Sequence, residues 1–350
     1  MVQGADRDRS GFFCQVTGFE GFQEEILRLR NSNRERPETL EYLNWRYRST
    51  DDAPEPRVFW LLQAAGERVG MVSAIFRPYL VNNERVLTAV IGDISLDARL
   101  RGRGLGKVLL RFMTHHLDEF FPRQPAFVIP TEAARRTLAR VGWVTGGTLV
   151  PHVCVLDATS YLRAILHSAR LARAIAGRLR AAVRAIMRLR VPGDGVLFLT
   201  SARNNCVLGL PCGFTRRADV ARDLAPAELS WRYAQHPHVR FVVGRYYRAD
   251  MLRGFVVFED DSQTQACSVY DLTATEPADL RAMLALLVLR GMAAELTSVR
   301  MILDNRHPAR GCLRGLGFIA RPADSVFQVH SSNGMAERAI WRVTQGDKDT

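Results

Sequence analysis

Residues 94–107, ISLDARLRGRGLGK, are the stretch of sequence that decides the fold. The stretch begins as an apolar segment typical of a strand, passes three alternating glycines and continues into a helical pattern from Val108. Glycine lets the backbone approach a ligand closely, and free N–H groups at the start of a helix bind phosphate. Arg101, Arg103 and Lys107 add positive charge at the same point. The stretch therefore predicts a loop that binds a diphosphate.

Two other diphosphate loops fit the spacing less well. A Walker A loop needs GxxxxGK[ST], but Arg101 stands at the position of its first glycine and Val108 at the position of its magnesium-binding hydroxyl. A dinucleotide fingerprint needs GxGxxG after the first strand of a βαβ unit. Here the glycines are one residue closer together, and several predicted strands come earlier. The coenzyme A loop of acetyltransferases, [RQ]xxGx[GA], is satisfied at every position by RGRGLG.

Residues from about 57 to 143 resemble the GNAT N-acetyltransferase superfamily. Residues 94–106 (ISLDARLRGRGLG) resemble its motif A, which contains a strand, a turn and the pyrophosphate loop. Residues 127–143 (FVIPTEAARRTLARVGW) resemble its motif B, a strand and a helix that close with a glycine-aromatic pair.

The resemblance implies a splayed sheet that holds acetyl-CoA or another acyl-CoA as co-substrate. The ligand would lie between the strand that ends near Leu96 and the strand at residues 126–129. The backbone around Leu96 would bind the pantetheine arm and stabilise the thioester oxyanion. The residues whose amides would bind the pyrophosphate are Arg101, Gly102, Arg103, Gly104, Leu105, Gly106 and Lys107.

The same order of motifs recurs later in the chain. LNWRY at 43–47 recurs as LSWRY at 229–233, GDIS at 92–95 as YDLT at 270–273, and AARRTLARVGW at 133–143 as PARGCLRGLGF at 308–318. The offset falls only from 186 to 175 residues, so the order is kept and loops shorten. Three matches in one order predict two copies of one domain.

The predicted fold class is α/β (α+β), with two tandem GNAT-like domains, each a mixed, splayed β-sheet flanked by helices. The first domain covers residues 1–157 and the second residues 196–350. In the second copy, TATEPADL at 273–280 replaces the glycine loop with acids and a proline. We therefore expect the second copy to be degenerate and unable to bind coenzyme A.

Residues 158–190 form a different kind of segment between the copies. They contain eight arginines and no acid, and their apolar residues follow i, i+3, i+4 spacing, so residues 158–195 are interpreted as a basic amphipathic helical linker. The linker either packs across the two domains with its arginines in water or lies on an anionic membrane surface. Without these arginines the net charge falls from +12 to +4, which argues against nucleic acid as a partner.

Composition and cysteine usage bound the remaining possibilities. The 350 residues are 47% hydrophobic and 24% charged, which excludes a disordered chain. No apolar run approaches the ~20 residues that span a bilayer, and the first residues lack the apolar core of a secretory signal. Six cysteines without a CxxC pair and eight histidines without ligand spacing predict reduced thiols and no metal. We expect a cytoplasmic protein, either free or at the inner face of the membrane.

Acyl transfer to an amine needs a group that takes a proton from the nucleophile. Asp93, on the strand that leads to Leu96, is the best-placed carboxylate for this catalytic role, and Ser95 is a second candidate. The alternative is that Asp93 forms a hydrogen bond within the sheet, which its echo at Asp271 favours. Both roles stay open at this point.

The general acid is not assigned by the sequence. The family often has a tyrosine in the motif B helix that protonates the leaving thiolate, but Ala139 stands at that position here. Solvent or a tyrosine from elsewhere would have to replace it. Trp45-Arg46-Tyr47 lies where the family's early helices border the acceptor cleft, but its repetition in the second copy favours a packing role.

The function that these features predict is N-acyl transfer. An acetyl or other acyl group would move from acyl-CoA to a primary amine on a small molecule or sugar, as in a bacterial biosynthetic pathway that uses an amino sugar or small metabolite. The alternative is a non-catalytic binding or scaffold protein that keeps the GNAT fold. The acceptor is not identified by any residue of the sequence.

Overall fold

A computed structural model describes residues 5–7, 12–47, 57–82, 84–204, 220–223, 225–261, 263–323 and 325–348. We call the chain up to residue 157 the first half and the chain from residue 195 the second half. The strands of the first half are β1 (Ala5–Arg7), β2 (Phe12–Thr17), β3 (Arg57–Ala64), β4 (Glu67–Val81), β5 (Glu84–Leu96), β6 (Ala126–Val128) and β7 (Val144–Val155). Its helices are α1 (Gln23–Asn31), α2 (Leu40–Arg46), α3 (Leu105–Phe120) and α4 (Glu132–Ala139).

Two helices join the halves, α5 (Thr159–Leu166) and α6 (Ala169–Leu189). The strands of the second half are β8 (Gly195–Ser201), β9 (Val220–Arg222), β10 (Phe241–Arg248), β11 (Met251–Asp261), β12 (Ala266–Ala274), β13 (Ser298–Asp304), β14 (Ile319–Ala320), β15 (Ser325–His330) and β16 (Trp341–Arg342). Its helices are α7 (Pro226–Leu229), α8 (Pro277–Ala293), α9 (Arg310–Leu313), α10 (Met335–Arg338) and α11 (Gln345–Lys348).

The helices begin where the sequence supplies capping groups. The Thr39 side chain accepts a hydrogen bond from the Tyr42 amide at the start of α2, and the Ser168 side chain accepts one from the Leu171 amide at the start of α6. α3 instead begins after Gly104, whose φ is +79°. A left-handed backbone at this position favours glycine, so the chain can turn sharply from the loop into the helix.

The sheet runs without interruption through both halves. Its order is β1-β2-β3-β4-β5-β6-β15-β7-β13-β12-β11-β10-β8, and along this path only β5–β6 and β12–β13 are parallel. The arrangement is nearly symmetric, because each half contributes an antiparallel series that ends in one parallel pair. The predicted α/β class with two tandem GNAT-like domains, each with a mixed sheet flanked by helices, is confirmed.

At the centre of the sheet, the two halves exchange strands. β7 of the first half pairs with β13 of the second, from Leu149 opposite Asp304 to Val155 opposite Ser298. In return, β15 of the second half lies between β6 and β7. The domain limits at residues 157 and 195 stay predictions, but each half supplies a strand that borders the other.

Two adjacent glycines in β7 allow this close packing. A Cβ added at Gly146 or Gly147 would collide with the ring of Phe327 on β15. Phe327 itself is fully buried in a core at the junction that also contains Tyr79 and Trp341. The central core is therefore built from side chains of both halves.

A pair of tryptophans joins the two copies of the Trp-Arg-Tyr sequence. The rings of Trp45 and Trp231 stack with centroids 5.2 Å apart and an interplanar angle of 12°. Trp45 Nε1 donates to the carbonyl of Trp231 at 2.9 Å, and Trp231 Nε1 donates to the carbonyl of Trp45 at 2.8 Å. These reciprocal hydrogen bonds show that a local twofold axis relates the two Trp-Arg-Tyr segments. They also confirm the packing role predicted for the repeated sequence.

Candidate functional site

The first feature of the site is a gap between two parallel strands. β5 and β6 pair from Ala89 with Ala126 to Ile91 with Val128, and then they separate. A cavity of about 350 Å³ opens there, which we call the splay cleft. It is lined by residues 90–94 on one side and by residues 127–131 on the other, as the sequence predicted for the ligand gap.

A β-bulge in β5 widens the splay cleft. β4 pairs Met71 with Ser95 and Ser73 with Gly92, so two residues of β5 lie opposite one residue of β4. Asp93, in the bulge, has a φ of +50°, a conformation that few residues other than glycine adopt. The bulge turns the backbone of residues 92–94 toward the cleft and sends the Asp93 side chain inward.

The glycine loop has the geometry that a pyrophosphate needs. Gly102 and Gly104 have φ values of +78° and +79°, and a Cβ added at either would meet no atom within 4 Å. Within the described ranges, the amides of residues 102–106 donate no hydrogen bond. Leu105 is buried and anchors the first turn of α3, whereas Arg103 and Lys107 are exposed. Free amides at the start of a 16-residue helix, with cations beside them, fit a diphosphate.

Asp93 lies in a buried cluster of charges. Its side chain is only 3% exposed and forms ion pairs with Arg30 and with Arg46, the latter at 3.3 Å, while the Tyr47 hydroxyl donates a hydrogen bond to it. Burial alone would raise the pKa of the Asp93 carboxyl, but Arg46, Arg30 and the Tyr47 hydroxyl together lower it. A carboxylate so neutralised is a weak base. The geometry therefore favours the structural alternative for Asp93 over the catalytic one.

Leu96 and Ser95 tie β5 to the first helix rather than lining the cleft. The Leu96 carbonyl accepts a hydrogen bond from Asn33 Nδ2 at 3.1 Å, and Ser95 Oγ accepts another from the same group at 2.6 Å. Ser95 Oγ donates onward to the Leu29 carbonyl at 2.8 Å. The roles predicted for the Leu96 backbone stay predictions, but the backbone that borders the cleft belongs to residues 90–94.

A second cavity, of about 440 Å³, lies between the halves next to the splay cleft, and we call it the interhalf cavity. The first half contributes Arg34, residues 36–39, Tyr42 and Trp45, and the second half contributes an aromatic wall. The aromatic and imidazole groups of that wall belong to Tyr233, His236, His238, Phe241 and Tyr270. Arg34, Glu38 and Tyr42 line both cavities, so the two spaces meet at these three side chains.

The interhalf cavity is positively charged. Arg34, Arg36 and Arg232 line it, and Glu38 is the single acid among its described lining residues. That carboxylate is already engaged, because it pairs with Arg34 and accepts a hydrogen bond from Arg30 at 2.9 Å. Arg232 Nε is buried and has no hydrogen-bond partner in the described structure. An anionic group would complete this set of cations.

His236 adds a neutral donor to the same cavity. Burial, with the neighbouring His238 and Arg232, lowers the pKa of His236 to about 4, so the ring is neutral at pH 7. Its Nδ1 accepts hydrogen bonds from the amides of His238 and Val239, at 3.2 and 2.9 Å. These two donors assign the ring hydrogen to Nε2. His236 can therefore donate a hydrogen bond to a ligand, but it is a poor base.

The corresponding gap in the second half is filled by the chain itself. β12 and β13 pair in parallel and then separate, as β5 and β6 do. Residues 341–348 enter this gap, where Arg342 Nη2 donates to the Leu272 carbonyl at 2.8 Å and Thr344 Oγ1 donates to Asp271 Oδ1 at 2.9 Å. The cavity that remains has a volume of about 20 Å³, which is too small for a coenzyme.

The helix that follows β12 also lacks a phosphate cradle. α8 begins at Pro277 after Glu276, and Asp279 lies in its first turn. Acids at a helix N-terminus would repel a pyrophosphate. Together with the filled gap, this supports the prediction that the second copy does not bind coenzyme A.

The functional residues that sequence reasoning missed lie in the turn after α1 and in α2. Arg34, Glu38 and Tyr42 connect the two cavities, yet no motif marks them. The available signal was the density of charge in RNSNRERPE at 30–38, which resembles an ordinary solvated turn. Among the described residues no group of three or more potential ligands could hold a metal ion, and Cys154, Cys267 and Cys312 are buried free thiols.

Comparison with known proteins places the first half in a family. Residues 22–143 match the acetyltransferase (GNAT) family. No curated protein sequence matches the chain.

Solved structures extend the likeness to the whole chain. One is a GCN5-related N-acetyltransferase from Anabaena variabilis, with a TM-score of 0.62 and 12% identity over 91% of this chain and 73% of that one. A second is a probable N-acyltransferase from Enterococcus faecalis, with a TM-score of 0.64 and 10% identity over 92% and 73%. A tandem GNAT protein from the clavulanic acid biosynthesis pathway has a TM-score of 0.53 and 14% identity over 92% of this chain and 98% of its own. These similarities show a shared tandem fold.

Proposed function

Because residues 22–143 match the acetyltransferase (GNAT) family and the whole chain shares the fold of a tandem GNAT structure, we propose that the protein transfers an acyl group from acyl-CoA to a primary amine. The donor would occupy the splay cleft and the amine would occupy the interhalf cavity. The observation that carries this proposal is that the two cavities meet at Arg34, Glu38 and Tyr42. An amine in one space would thus reach a thioester in the other.

Acyl-CoA supplies the activated acyl group as a thioester. The amides of residues 102–106 and the side chains of Arg103 and Lys107 would bind its pyrophosphate, and the backbone of residues 92–94 would line the pantetheine arm. None of the three described carboxylates that line the cleft is a free base, since Glu38 and Asp93 are ion-paired with arginines and Asp347 pairs with Arg222 and accepts a hydrogen bond from the Tyr79 hydroxyl. The amine would therefore lose its proton to solvent in the open interhalf cavity.

Tyr42 would take the place of the missing motif B tyrosine. Its ring is held by a stacked His238, with centroids 5.8 Å apart, and by Trp45 at 5.3 Å. The side chain faces both cavities, so its hydroxyl can supply a proton to the leaving thiolate. Of the two substitutes that the sequence left open once Ala139 occupied the usual position, solvent or a tyrosine from elsewhere, this proposal takes the tyrosine.

The acceptor that this cavity favours is a small amine that also carries an acidic group. Arg36 and the His236 donor face it, and Arg36 forms no ion pair with any described residue. Arg34 pairs with Glu38 and Arg232 pairs with Glu228, so Arg36 is the arginine of the described lining that is left for an acidic group. The aromatic wall suits an apolar body. A polyamine would meet excess positive charge in this space.

The proposal is tested by measuring how fast free thiol is released from acetyl-CoA when an amine is added. The amines are used in matched pairs, such as phenylalanine and phenethylamine, in which only one member carries an acidic group. Loss of a charged hydrogen bond costs about 1.5–3 kcal/mol, so we expect kcat/KM to be roughly 10 to 100 times higher for the acidic member of each pair. Arg36→Gln should reduce this preference, whereas Arg123→Gln, an exposed change on the loop before β6, should not. Tyr42→Phe should lower kcat with little change in KM.

The possible results separate the hypotheses. Equal rates within each pair would contradict the acidic acceptor and leave acyl transfer intact. Binding of acetyl-CoA without thiol release for any amine would favour the non-catalytic scaffold. Absence of acetyl-CoA binding would contradict the donor site itself.

A further inference from the structure

α6 uses only one of its two apolar faces to pack against the protein. Ala172, Ala176, Val183 and Met187 follow helical spacing along one face and are buried or half-buried. Val183 and Met187 belong to the core of the second half, and α6 contacts α8. This face accounts for the packing that the amphipathic pattern predicted.

A second apolar stripe on α6 faces solvent. Leu171, Ile175, Leu179 and Ile186 repeat at helical spacing and point to one side, with Leu171 57% and Leu179 49% exposed. Tyr161 and Ile165 of α5 are exposed too, as is Leu189 at the end of α6. Soluble surfaces rarely collect so many large apolar side chains in one place.

This concentration is confined to one part of the chain. Eighteen large hydrophobic side chains are exposed among the described residues, and ten of them lie between residues 161 and 199. The last three, Val196, Phe198 and Leu199, are on β8, the edge strand at this end of the sheet. We call the exposed side of α5 and α6 the arginine surface, because arginines flank its apolar stripe.

The charge of the arginine surface is unbalanced. Residues 158–190 hold eight arginines and no acid. Arg180 donates a hydrogen bond to the Met292 carbonyl, and the other seven, all exposed, form no ion pair with any residue that the structure describes. The acids of the two halves therefore do not neutralise this segment.

From these observations we infer that the arginine surface binds an anionic lipid bilayer. Apolar side chains of the stripe would enter the headgroup region, while the arginines would contact lipid phosphates. Two such surfaces would repel each other through their arginines, which disfavours a second copy as the occupant. Nucleic acid would leave the apolar stripe uncovered. No helix in the described ranges is long and apolar enough to cross a membrane.

Flotation of the full-length protein with vesicles tests the inference. We expect it to float with vesicles of equal parts phosphatidylglycerol and phosphatidylcholine and to stay behind with phosphatidylcholine alone. Binding should weaken as salt is added, because the electrostatic part is screened. Since each arginine near an anionic surface contributes about 1 kcal/mol, the partition coefficient should fall about fivefold for each arginine removed.

Two sets of variants separate the contributions. Changing Arg170, Arg173, Arg184 and Arg188 to Gln together should reduce binding several hundredfold, following the same value for each arginine. In a control variant, four exposed arginines elsewhere on the surface, Arg111, Arg123, Arg140 and Arg314, are changed to Gln. This variant loses the same charge, but its binding to vesicles should change little. Leu171→Ser with Leu179→Ser should remove the part of the binding that resists salt.

Several outcomes would overturn the inference. One is equal flotation with neutral vesicles, and another is an equal loss in the control variant. The inference would also be overturned if the protein floated with neither type of vesicle. A dimer in sedimentation experiments that dissociates when the stripe is changed would assign the surface to a second copy instead. The charge variants leave the buried face of α6 intact, so they remain informative if the serine variants fail to fold.

Discussion

Asp93 and Asp271 occupy equivalent places in the two halves, and a tyrosine holds each of them. Tyr47 donates to Asp93 and Tyr233 donates to Asp271, and each tyrosine ends a Trp-Arg-Tyr sequence. Asp271 lies in a half without a donor cleft, yet it keeps the same partner. At the level of the residue, the repeated pair therefore serves to position β5 and β12 rather than to carry out chemistry.

The Asp93→Asn variant tests this role through stability. It would leave Arg46 buried without a carboxylate and Arg30 with Glu38 as its remaining partner among the described residues, so we expect a loss of about 3 kcal/mol or more in the free energy of unfolding. Because its folded pKa is lowered, Asp93 stabilises the protein fully above the ordinary carboxyl pKa of ~4, and this contribution is lost as the pH falls through the lowered value. Urea unfolding at several pH values measures both effects.

A matched control distinguishes this network from an ordinary ion pair. Asp223 forms a more exposed pair with Arg85 at 2.9 Å, so Asp223→Asn should cost less than about 1 kcal/mol. If Asp93→Asn were as stable as wild type but about 100-fold slower, with the rate restored at high pH, Asp93 would be the base that the sequence suggested.

At the level of the element, the proposed coenzyme site depends on the loop before α3. Gly104→Glu would place a carboxylate in the open space of the cradle and force a side chain into a left-handed backbone. We expect calorimetry with acetyl-CoA to give one site per wild-type chain and none for the variant.

Gly317→Glu provides the control for this experiment. Gly317 has a φ of +74° and open space around it, so the change brings the same charge and backbone strain to the second half. It should leave acetyl-CoA binding intact. Two sites in the wild-type chain would mean that residues 341–348 leave the second gap.

The elements near the loop could be predicted from sequence because their signals are local. The apolar strand, the alternating glycines and the helix of α3 lie within 27 residues, and the structure places that helix at Leu105, three residues before the predicted start. The interhalf cavity could not be predicted, because Glu38 and Tyr42 meet residues such as His236 only after the halves pack. Nor does any local pattern show that residues 341–348 would enter the gap beside β12.

At the level of the whole molecule, the exchanged strands should hold the halves together without a covalent link. β7 and β13 pair at seven positions, and β15 joins β6 to β7. If a protease site is inserted into the turn at residues 191–194 and cut, the two fragments should elute as one species in size-exclusion chromatography. They should separate only in denaturant.

Elution of the cut fragments as two species in native buffer would contradict the strand exchange. The uncut protein carrying the same insertion controls for damage to α6 or β8. Strand pairing by alternation alone does not identify a partner, which is why the sequence predicted two separate sheets. The local sign of the exchange in the sequence was the pair Gly146 and Gly147, which leave room for the Phe327 ring.

The exchange also constrains how such a protein can evolve. After duplication of an ancestral domain, each copy came to depend on a strand encoded by the other. A deletion that removed the second copy would then expose the edge of β6 and leave β7 without its neighbours. Substitutions could erase the second coenzyme site, but selection would preserve the body of the domain. A half without an open coenzyme cleft would persist because the other half is built partly from it.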